Sequence, residues 1–277
     1  MSAPGFDGVV EASQGSRVKI ATWNINGIRA RLETATRWVT DTRPDILCLQ
    51  EIKTVDDGFP SAVFEDLGYN IATHGQKGFN GVALISRLPF DEVSRGLPGE
   101  TEDEQARFIV GSFSVPSGSL RVASLYLPNG NPTGSEKFAY KLRWMKRLEA
   151  WTVAALAGEE RLVLAGDYNV IPTPDDAREP DNWLNDALFQ PESRQAFRRL
   201  LHLGLTDAFR ATNARPGNYT FWDYQAGAWQ RNNGIRIDHL LLSPQAADRL
   251  TGAVIDKRPR SWDKPSDHVP VTIELDV

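Results

Sequence analysis

Side chains able to bind a metal or move a proton recur where apolar, strand-like runs stop. ATWNINGIR ends with Asn24 and Asn26, ILCLQEIK with Gln50 and Glu51, SLYLPNG with Tyr126 and Asn129, and LVLAGDYNV with Asp167 and Asn169. SDHVPV sets Asp267 and His268 directly before a strand in which Val271, Ile273, Leu275 and Val277 alternate with Thr272, Glu274 and Asp276. Taken singly, each has an ordinary structural reading: Asn-Gly makes a turn, Glu51 beside Lys53 makes a surface ion pair, and Ser-Asp punctuates a loop. Asp238 resists that treatment. It sits among Ile235, Ile237, Leu240, Leu241 and Leu242, where a carboxylate must find a partner or stay protonated. His268, with Asp238 as its orienting acid, would satisfy both groups.

The donor set limits the chemistry. There are four histidines (His74, His202, His239, His268) and one cysteine, Cys48, which lies in the apolar run ILCL and reads as a buried structural thiol. No cysteine-rich metal site or internal disulfide is possible. Hard oxygen donors suit Mg²⁺ or Mn²⁺ rather than a structural zinc. Mg²⁺ on one or two carboxylates is completed by substrate phosphate. The natural reaction is therefore phosphoester hydrolysis, with the ion as Lewis acid and template. The absence of a GxSxG elbow favours attack by water over a covalent serine. The chain has neither GxGxxG nor GxxxxGK[ST], which disfavours dinucleotide and P-loop functions.

The elements that must position these groups are mostly strands. RVKIATW, PDILCLQ, GVALIS, RFIVGSFSV, LRVASLYL, RLVLAGD, IRIDHLLLS and VPVTIELDV all read as strand. Helical periodicity occurs in IRARLETATRWV, with Ile28, Leu32, Ala35 and Val39 on one face. SEKFAYKLRWMKRLEAWTVAALAG is expected to bury Phe138, Leu142, Met145, Trp151 and Ala155, with a capping box from Thr133 to Glu136 and a stop at Gly158. SRQAFRRLLHLG is expected to run from a Ser193 cap to Gly204. Two packed sheets with helices outside accommodate this mixture. At 277 residues and 41% hydrophobic, the chain can bury a large core as one big domain or two small ones.

Residues 1–17 lack an apolar h-region and a basic start, and read as a disordered lead-in rather than a signal peptide. No apolar stretch approaches the ~20 residues that span a bilayer, so a soluble intracellular protein is expected. The net charge of −5 counts against a nucleic-acid partner only as a total, because binding depends on local patches. Arg29, Arg31 and Arg37 form one candidate patch, and Lys257, Arg258, Arg260 and Lys264 another.

Together NINGIRAR, LQEIK, LYLPNG, GDYNV, YTFWDY, GIRIDHLLLS and SDHVPV resemble the exonuclease III family of apurinic/apyrimidinic endonucleases, within the endonuclease/exonuclease/phosphatase superfamily. The match runs in order from Val18 to the C-terminus. It implies an α/β fold, a four-layered α/β sandwich of two packed mixed β-sheets flanked by helices, with residues 18–277 as a single catalytic domain. It also implies roles. Glu51 would be the principal Mg²⁺ ligand, with Asn24 and Asp267 close to the ion; Asp167, Asn169 and His268 complete the expected metal set. Asn26 stands where some members have aspartate. Asp167, helped by Asn169, would deprotonate the attacking water. His268, oriented by Asp238, would hold a phosphate oxygen, and Tyr126 and Asn129 would contact the same phosphate.

Phe221, Trp222, Ile235 and Ile237 match an apolar pocket for a flipped, baseless sugar. Some members carry tryptophan at the position of Ile235. Arg29, Lys53, Lys77 and Arg107 would hold flanking phosphates. The implied activity is a DNA-repair nuclease that cuts 5′ to abasic sites and clears blocked 3′ ends of double-stranded DNA, with 3′→5′ exonuclease action. A monomer suffices, and the implied location is cytoplasmic, at a bacterial-type nucleoid. The alternative is a phosphodiesterase of the same superfamily acting on an inositol phosphate or lipid headgroup. A DNA-binding module without catalysis would predict decay of the catalytic set, which is intact, and a two-carboxylate glycosidase would leave Tyr126, Asn169 and His268 without a role.

Overall fold

The computed structural model describes residues 17–277, so the expected lead-in falls, apart from Arg17, outside the described residues. In chain order the strands are β1 (Arg17–Asn24), β2 (Ile46–Gln50), β3 (Asn70–His74), β4 (Val82–Ser86), β5 (Glu92–Arg95) and β6 (Phe108–Val115). They continue with β7 (Gly118–Tyr126), β8 (Arg161–Asp167), β9 (Thr206–Asp207), β10 (Asp238–Leu242), β11 (Leu250–Ile255) and β12 (Val271–Asp276). The helices are α1 (Leu32–Thr42), α2 (Ser61–Glu65), α3 (Glu136–Leu156), α4 (Pro191–His202), α5 (Ala208–Thr212) and α6 (Pro244–Ala247).

Two six-stranded mixed sheets result, ordered β11-β12-β1-β2-β4-β3 and β5-β6-β7-β8-β10-β9. Their facing sides form one apolar layer, with Ile20, Cys48, Leu84, Val122, Val163 and Ile273 among its buried members. The outer faces are also covered. Trp23, Leu49, Trp38 and Phe64 pack α1 and α2 on the first sheet, and Leu125, Leu164, Trp144, Leu148 and Phe197 pack α3 and α4 on the second. The expected four layers are present. Coverage on both faces explains why the central strands are continuous apolar runs rather than alternating ones.

The two parallel pairs position the chemistry. β1 pairs with β2 and β7 with β8 in parallel, and each return passes through a helix, α1 or α3, as a parallel connection requires. Their carboxyl ends therefore lie at one edge of the sandwich. The register sets Asn24 beside Gln50, Tyr126 beside Asp167, and Asp167 beside Asp238 at the start of antiparallel β10.

The helices depart from the sequence expectation in detail. α3 buries Lys141, Trp144, Met145, Leu148, Thr152 and Ala155, while Phe138, Leu142 and Trp151 are only partly buried. The buried face is rotated because Lys141 points inward. No Thr133–Glu136 capping box forms; Ser135 is the N-cap, and its hydroxyl donates to the Pro132 carbonyl instead. Ser193 is not a cap either. α4 begins at Pro191, and the Ser193 hydroxyl donates to the Ala187 carbonyl.

Candidate active site

The chain leaves the strands abruptly at this edge. Asn26, Glu51, Lys53 and Asn169 all adopt left-handed backbone, with φ of 48°, 50°, 54° and 47°. Such angles are disfavoured for residues with a Cβ and concentrate where a side chain must be aimed. Here they turn polar side chains into the space between the sheet ends.

Glu51, Asp167 and His268 present ligand atoms that all lie within 4.8 Å of one another. Asn24 links the two carboxylates, its Nδ2 donating to Glu51 at 2.8 Å and to Asp167 at 2.9 Å. Its oxygen accepts the Asn26 N–H at 3.0 Å, so Asn24 braces the two carboxylates. Asn169 is also engaged at both ends. Its Nδ2 donates to the Leu127 carbonyl at 2.9 Å and its oxygen accepts from Asn129 at 3.3 Å. Asp267 lies at the rim, accepting from Asn26 Nδ2 at 3.1 Å. Lys53 reaches inward, 2.9 Å from Glu51 and 2.5 Å from the Asn26 oxygen, and forms an ion pair of the site.

His268 and Asp238 form the expected pair: Nδ1 lies 2.8 Å from Asp238 Oδ2, and both residues are buried. The other oxygen of Asp238 is buried without a hydrogen-bond partner. His268 Nε2 sits 3.8 Å from Asp167. Burial would lower the His268 pKa, but the charges of Asp238 and Asp167 overcome it and raise the ring to about 10. Burial lifts Asp167 to about 7, against the opposing charge of His268. For Glu51, burial is outweighed by the Asn24 hydrogen bond and by Lys53, and the net shift is downward. Tyr126 is held well above its ordinary value by burial and by the charges of Glu51 and Asp167, so it remains a phenol donor. Arg107 stacks 4.8 Å above its ring and donates to its carbonyl at 3.2 Å, steadying Tyr126.

Next to His268 lies a cavity of about 270 Å³, lined in part by Trp183, Phe221, Ala226, Arg231 and Ile235. The Phe221 ring is 5.0 Å from that of His268, so cavity and polar cluster adjoin. Phe221 and Ile235 occupy the expected pocket. Trp222 does not: it is fully buried behind the wall, edge-on to Tyr219 and Trp229, with its indole N–H on Asn232. Ile237 is likewise core, packed with Ile171 and Leu188. Phe221 bridges Ile235 through its backbone and stands on the cavity side, while the next residue, Trp222, is buried. Trp183 is a wall residue that no sequence signal marked.

The basic residues divide differently from the sequence clusters. Arg29, Arg31, Arg37 and Lys264 line one groove of about 380 Å³, and Arg29 is exposed with Nε on the Gly58 carbonyl. Lys257 lies 5.3 Å over Trp222, Arg258 is exposed and pairs with Asp256, and Arg260 is buried. Lys77 is exposed, as is Phe79 two positions on.

Known proteins share this arrangement. The model of the Endonuclease/Exonuclease/phosphatase family matches residues 21–268. The chain is 34% identical to exodeoxyribonuclease III of Haemophilus influenzae, over 93% of this chain and 100% of that protein. It is 31% identical to the DNA repair nuclease APEX1 of Danio rerio, over 95% of this chain and 84% of that protein. Among solved structures, the 3′ phosphatase NExo from Neisseria, bound to a product DNA hairpin, superposes with a TM-score of 0.90 at 38% identity, covering 94% of this chain and 100% of that one. An AP endonuclease from Archaeoglobus fulgidus gives 0.88 at 38% identity, with the same shares. With the sheet order, the polar edge and these full-length likenesses in agreement, the chain belongs to the endonuclease/exonuclease/phosphatase family.

Proposed function

We propose that the protein is a divalent-metal-dependent DNA-repair nuclease. It hydrolyses the phosphodiester 5′ to abasic sites and removes 3′ blocks from double-stranded DNA, with 3′→5′ exonuclease action. The observation that carries the reading is the meeting of Glu51, Asp167 and the Asp238-bound His268 within one cluster, beside a cavity walled in part by Trp183, Phe221 and Ile235. Likeness to exodeoxyribonuclease III and to the solved AP endonuclease supports the choice of substrate. Residues 18–277 act as one catalytic domain. Among the described residues no helix is long and apolar enough to cross a membrane, and we place the monomer in the cytoplasm, at the nucleoid.

The donor set fits a hard cation: two carboxylates face one point and are cross-braced by Asn24. Glu51 and Asp167 would hold Mg²⁺, or Mn²⁺ in its place, with Asp267 at the rim. When bound, the ion supplies positive charge to orient and neutralise the scissile phosphate.

The chain's own groups do the remaining work. Asp167 lies in the cluster with Glu51 and His268 and would accept a proton from the attacking water. Its Oδ1 accepts the Asn169 N–H at 2.9 Å, which fixes the carboxylate plane. A ring charged by Asp238 has no lone pair for a cation. His268 is therefore read as a donor to a non-bridging phosphate oxygen, where charge grows in the transition state. Tyr126 and Asn129 donate to the same phosphate. The cavity beside Phe221 and Ile235 admits a sugar without a base, and extrusion costs least where no base is stacked.

A labelled duplex with one abasic-site analogue, a matching undamaged duplex and a duplex ending in 3′-phosphate would each be incubated in Mg²⁺ and in EDTA. Metal-dependent incision 5′ to the abasic position and release of phosphate are expected. Inert DNA combined with hydrolysis of inositol phosphates would replace this reading with the other one.

A further inference from the structure

Lys141 is a buried cation that the chemistry above leaves unused. It lies on the inward face of α3 with no exposed surface. Lysine is almost never placed there without a partner, and both of its hydrogen bonds run to carbonyl oxygens rather than to a carboxylate. One goes to Asn129 at 3.0 Å and the other to Asn169 at 2.5 Å. Those two carbonyls belong to the loops that leave β7 and β8. Asn129 Nδ2 contacts the Asn169 oxygen at 3.3 Å, so the loops meet through side chains as well as through the lysine.

The surroundings are shaped to this side chain. Gly130 has φ of +88°, and a Cβ there would stand 2.6 Å from the Lys141 Cδ; a larger residue would push the lysine out. Asn169 itself adopts left-handed backbone, with φ of 47°. A protein interior does not bury an ammonium on packing grounds alone, because a methionine would fill the same volume without the desolvation cost. Burial lowers its pKa to about 7, with Asp167 and Asp186 holding it up.

We propose that Lys141 is a positioning residue for phosphodiester hydrolysis: its ammonium ties the two strand-end loops together so that the Asn129 carboxamide, braced by that of Asn169, meets the scissile phosphate in a fixed orientation. The inference rests on the function proposed above. It assigns the lysine no contact with substrate, so its loss acts through the asparagines.

The test compares Lys141→Met, Asn129→Ala and the double variant with the wild type, all full length. Lys141→Met is expected to remain folded and to melt within a few degrees of the wild type. Its kcat should fall by about 10²-fold, the scale of a small misplacement of a reacting group, with KM within about threefold. Backbone amide exchange should quicken over residues 128–131 and 168–171 and stay unchanged elsewhere. In the Asn129→Ala background the further loss from Lys141→Met should be much smaller than in the wild type. A folded Lys141→Met with wild-type kcat, an equal loss in both backgrounds, or exchange that quickens throughout α3 would each overturn the proposal. If Lys141→Met fails to fold, Lys141→Gln keeps one donor and takes its place; failure of both to fold assigns the lysine to stability and overturns the proposal. A wild-type protein that cuts no DNA would sink the proposed function alone, since the exchange comparison still decides whether Lys141 holds the two loops.

Discussion

Arg236 and Asp238 are two positions apart on the chain, yet they belong to buried charge clusters balanced in opposite ways. Around Arg236 the count is even: its guanidinium reaches Asp176 at 2.7 Å and Asp207 at 2.8 Å, and Arg210 also pairs with Asp176. The guanidiniums hold Asp176 down at about 2 in spite of its burial. Around Asp238 the acids outnumber their partners. Asp238 has an oxygen with no hydrogen bond, Asp167 is lifted to about 7, and His268 is driven to about 10. The first cluster fastens the loop carrying Asp176 to the approach of β10. On the function proposed above, a cation and a phosphate would complete the second. Paired charge serves architecture, and unpaired charge of one sign serves binding.

Asp167→Asn sharpens this contrast most. Turnover should fall by about 10²–10³-fold, the usual loss for a group directed at the transition state. Stability should move the other way. Because the folded pKa of Asp167 lies above its ordinary 3.8, its favourable contribution is complete only at low pH and is lost as pH rises through about 7. At pH 8 in EDTA the charged carboxylate opposes folding, and Asp167→Asn should melt at a higher temperature than the wild type. Calorimetry showing a lower melting temperature at that pH would break the comparison.

Arg236→Met should do the reverse, since it strands Asp176 and Asp207 in the interior. A loss of about 3–5 kcal/mol is expected, typical of removing one partner from a buried pair. The folded fraction should keep kcat within a few-fold. The depressed pKa of Asp176 means that its contribution is present above its ordinary 3.8 and disappears as pH falls through about 2. The deficit of Arg236→Met, followed by urea titration, should therefore narrow only in strong acid. A large kcat defect in well-folded Arg236→Met would show that the two clusters are not separate.

His268→Gln gives a smaller effect on stability, with a signature in pH. The raised His268 pKa makes the charged ring's contribution complete below the ordinary 6.5 and lost as pH climbs through about 10. The gap in melting temperature between wild type and His268→Gln should be widest near pH 6 and close toward pH 10. A gap that does not change with pH would mean that the ring is neutral in the folded protein.

These contrasts also show what a linear sequence exposes. Strands covered on both faces announce themselves as apolar runs, and the polar residue that ends each one is visible because it breaks the run. Asn24, Glu51, Tyr126 and Asp167 were legible in that way, as was Asp238 by its apolar company. The strands that the runs did not reveal, β3, β5, β9 and β11, are the outermost members of the two sheets. Edge strands are short or half solvated, so neither a long apolar run nor clean alternation marks them. Lys141 and Arg236 escaped notice for a related reason. A cation in a helix or near a strand reads as surface, and only the fold shows that carbonyls or carboxylates wait for it in the interior. Direction was hidden too, because local sequence does not say that the Asn24 amide turns its nitrogen, not its oxygen, to the carboxylates.

The pocket wall lies between the two clusters and offers the mildest test of how they divide the work. Phe221 stands 5.0 Å from His268 and pairs through its backbone with Ile235, next to Arg236. Truncating it to alanine opens the cavity without touching a charge. Incision at an abasic analogue should fall by about tenfold, the order expected for losing apolar contacts to one sugar. Release of a 3′-phosphate, which asks less of the pocket, should change little. Trp222→Phe is the matched control. That indole is fully buried and bonded to Asn232, so its loss should lower the melting temperature by a few degrees and leave the ratio of the two activities unchanged. A shift in that ratio from Trp222→Phe would mean that the wall's inner layer also shapes the pocket. Equal losses on both substrates from Phe221→Ala would mean that the ring acts by holding His268, which would assign it to the charged cluster rather than to the sugar.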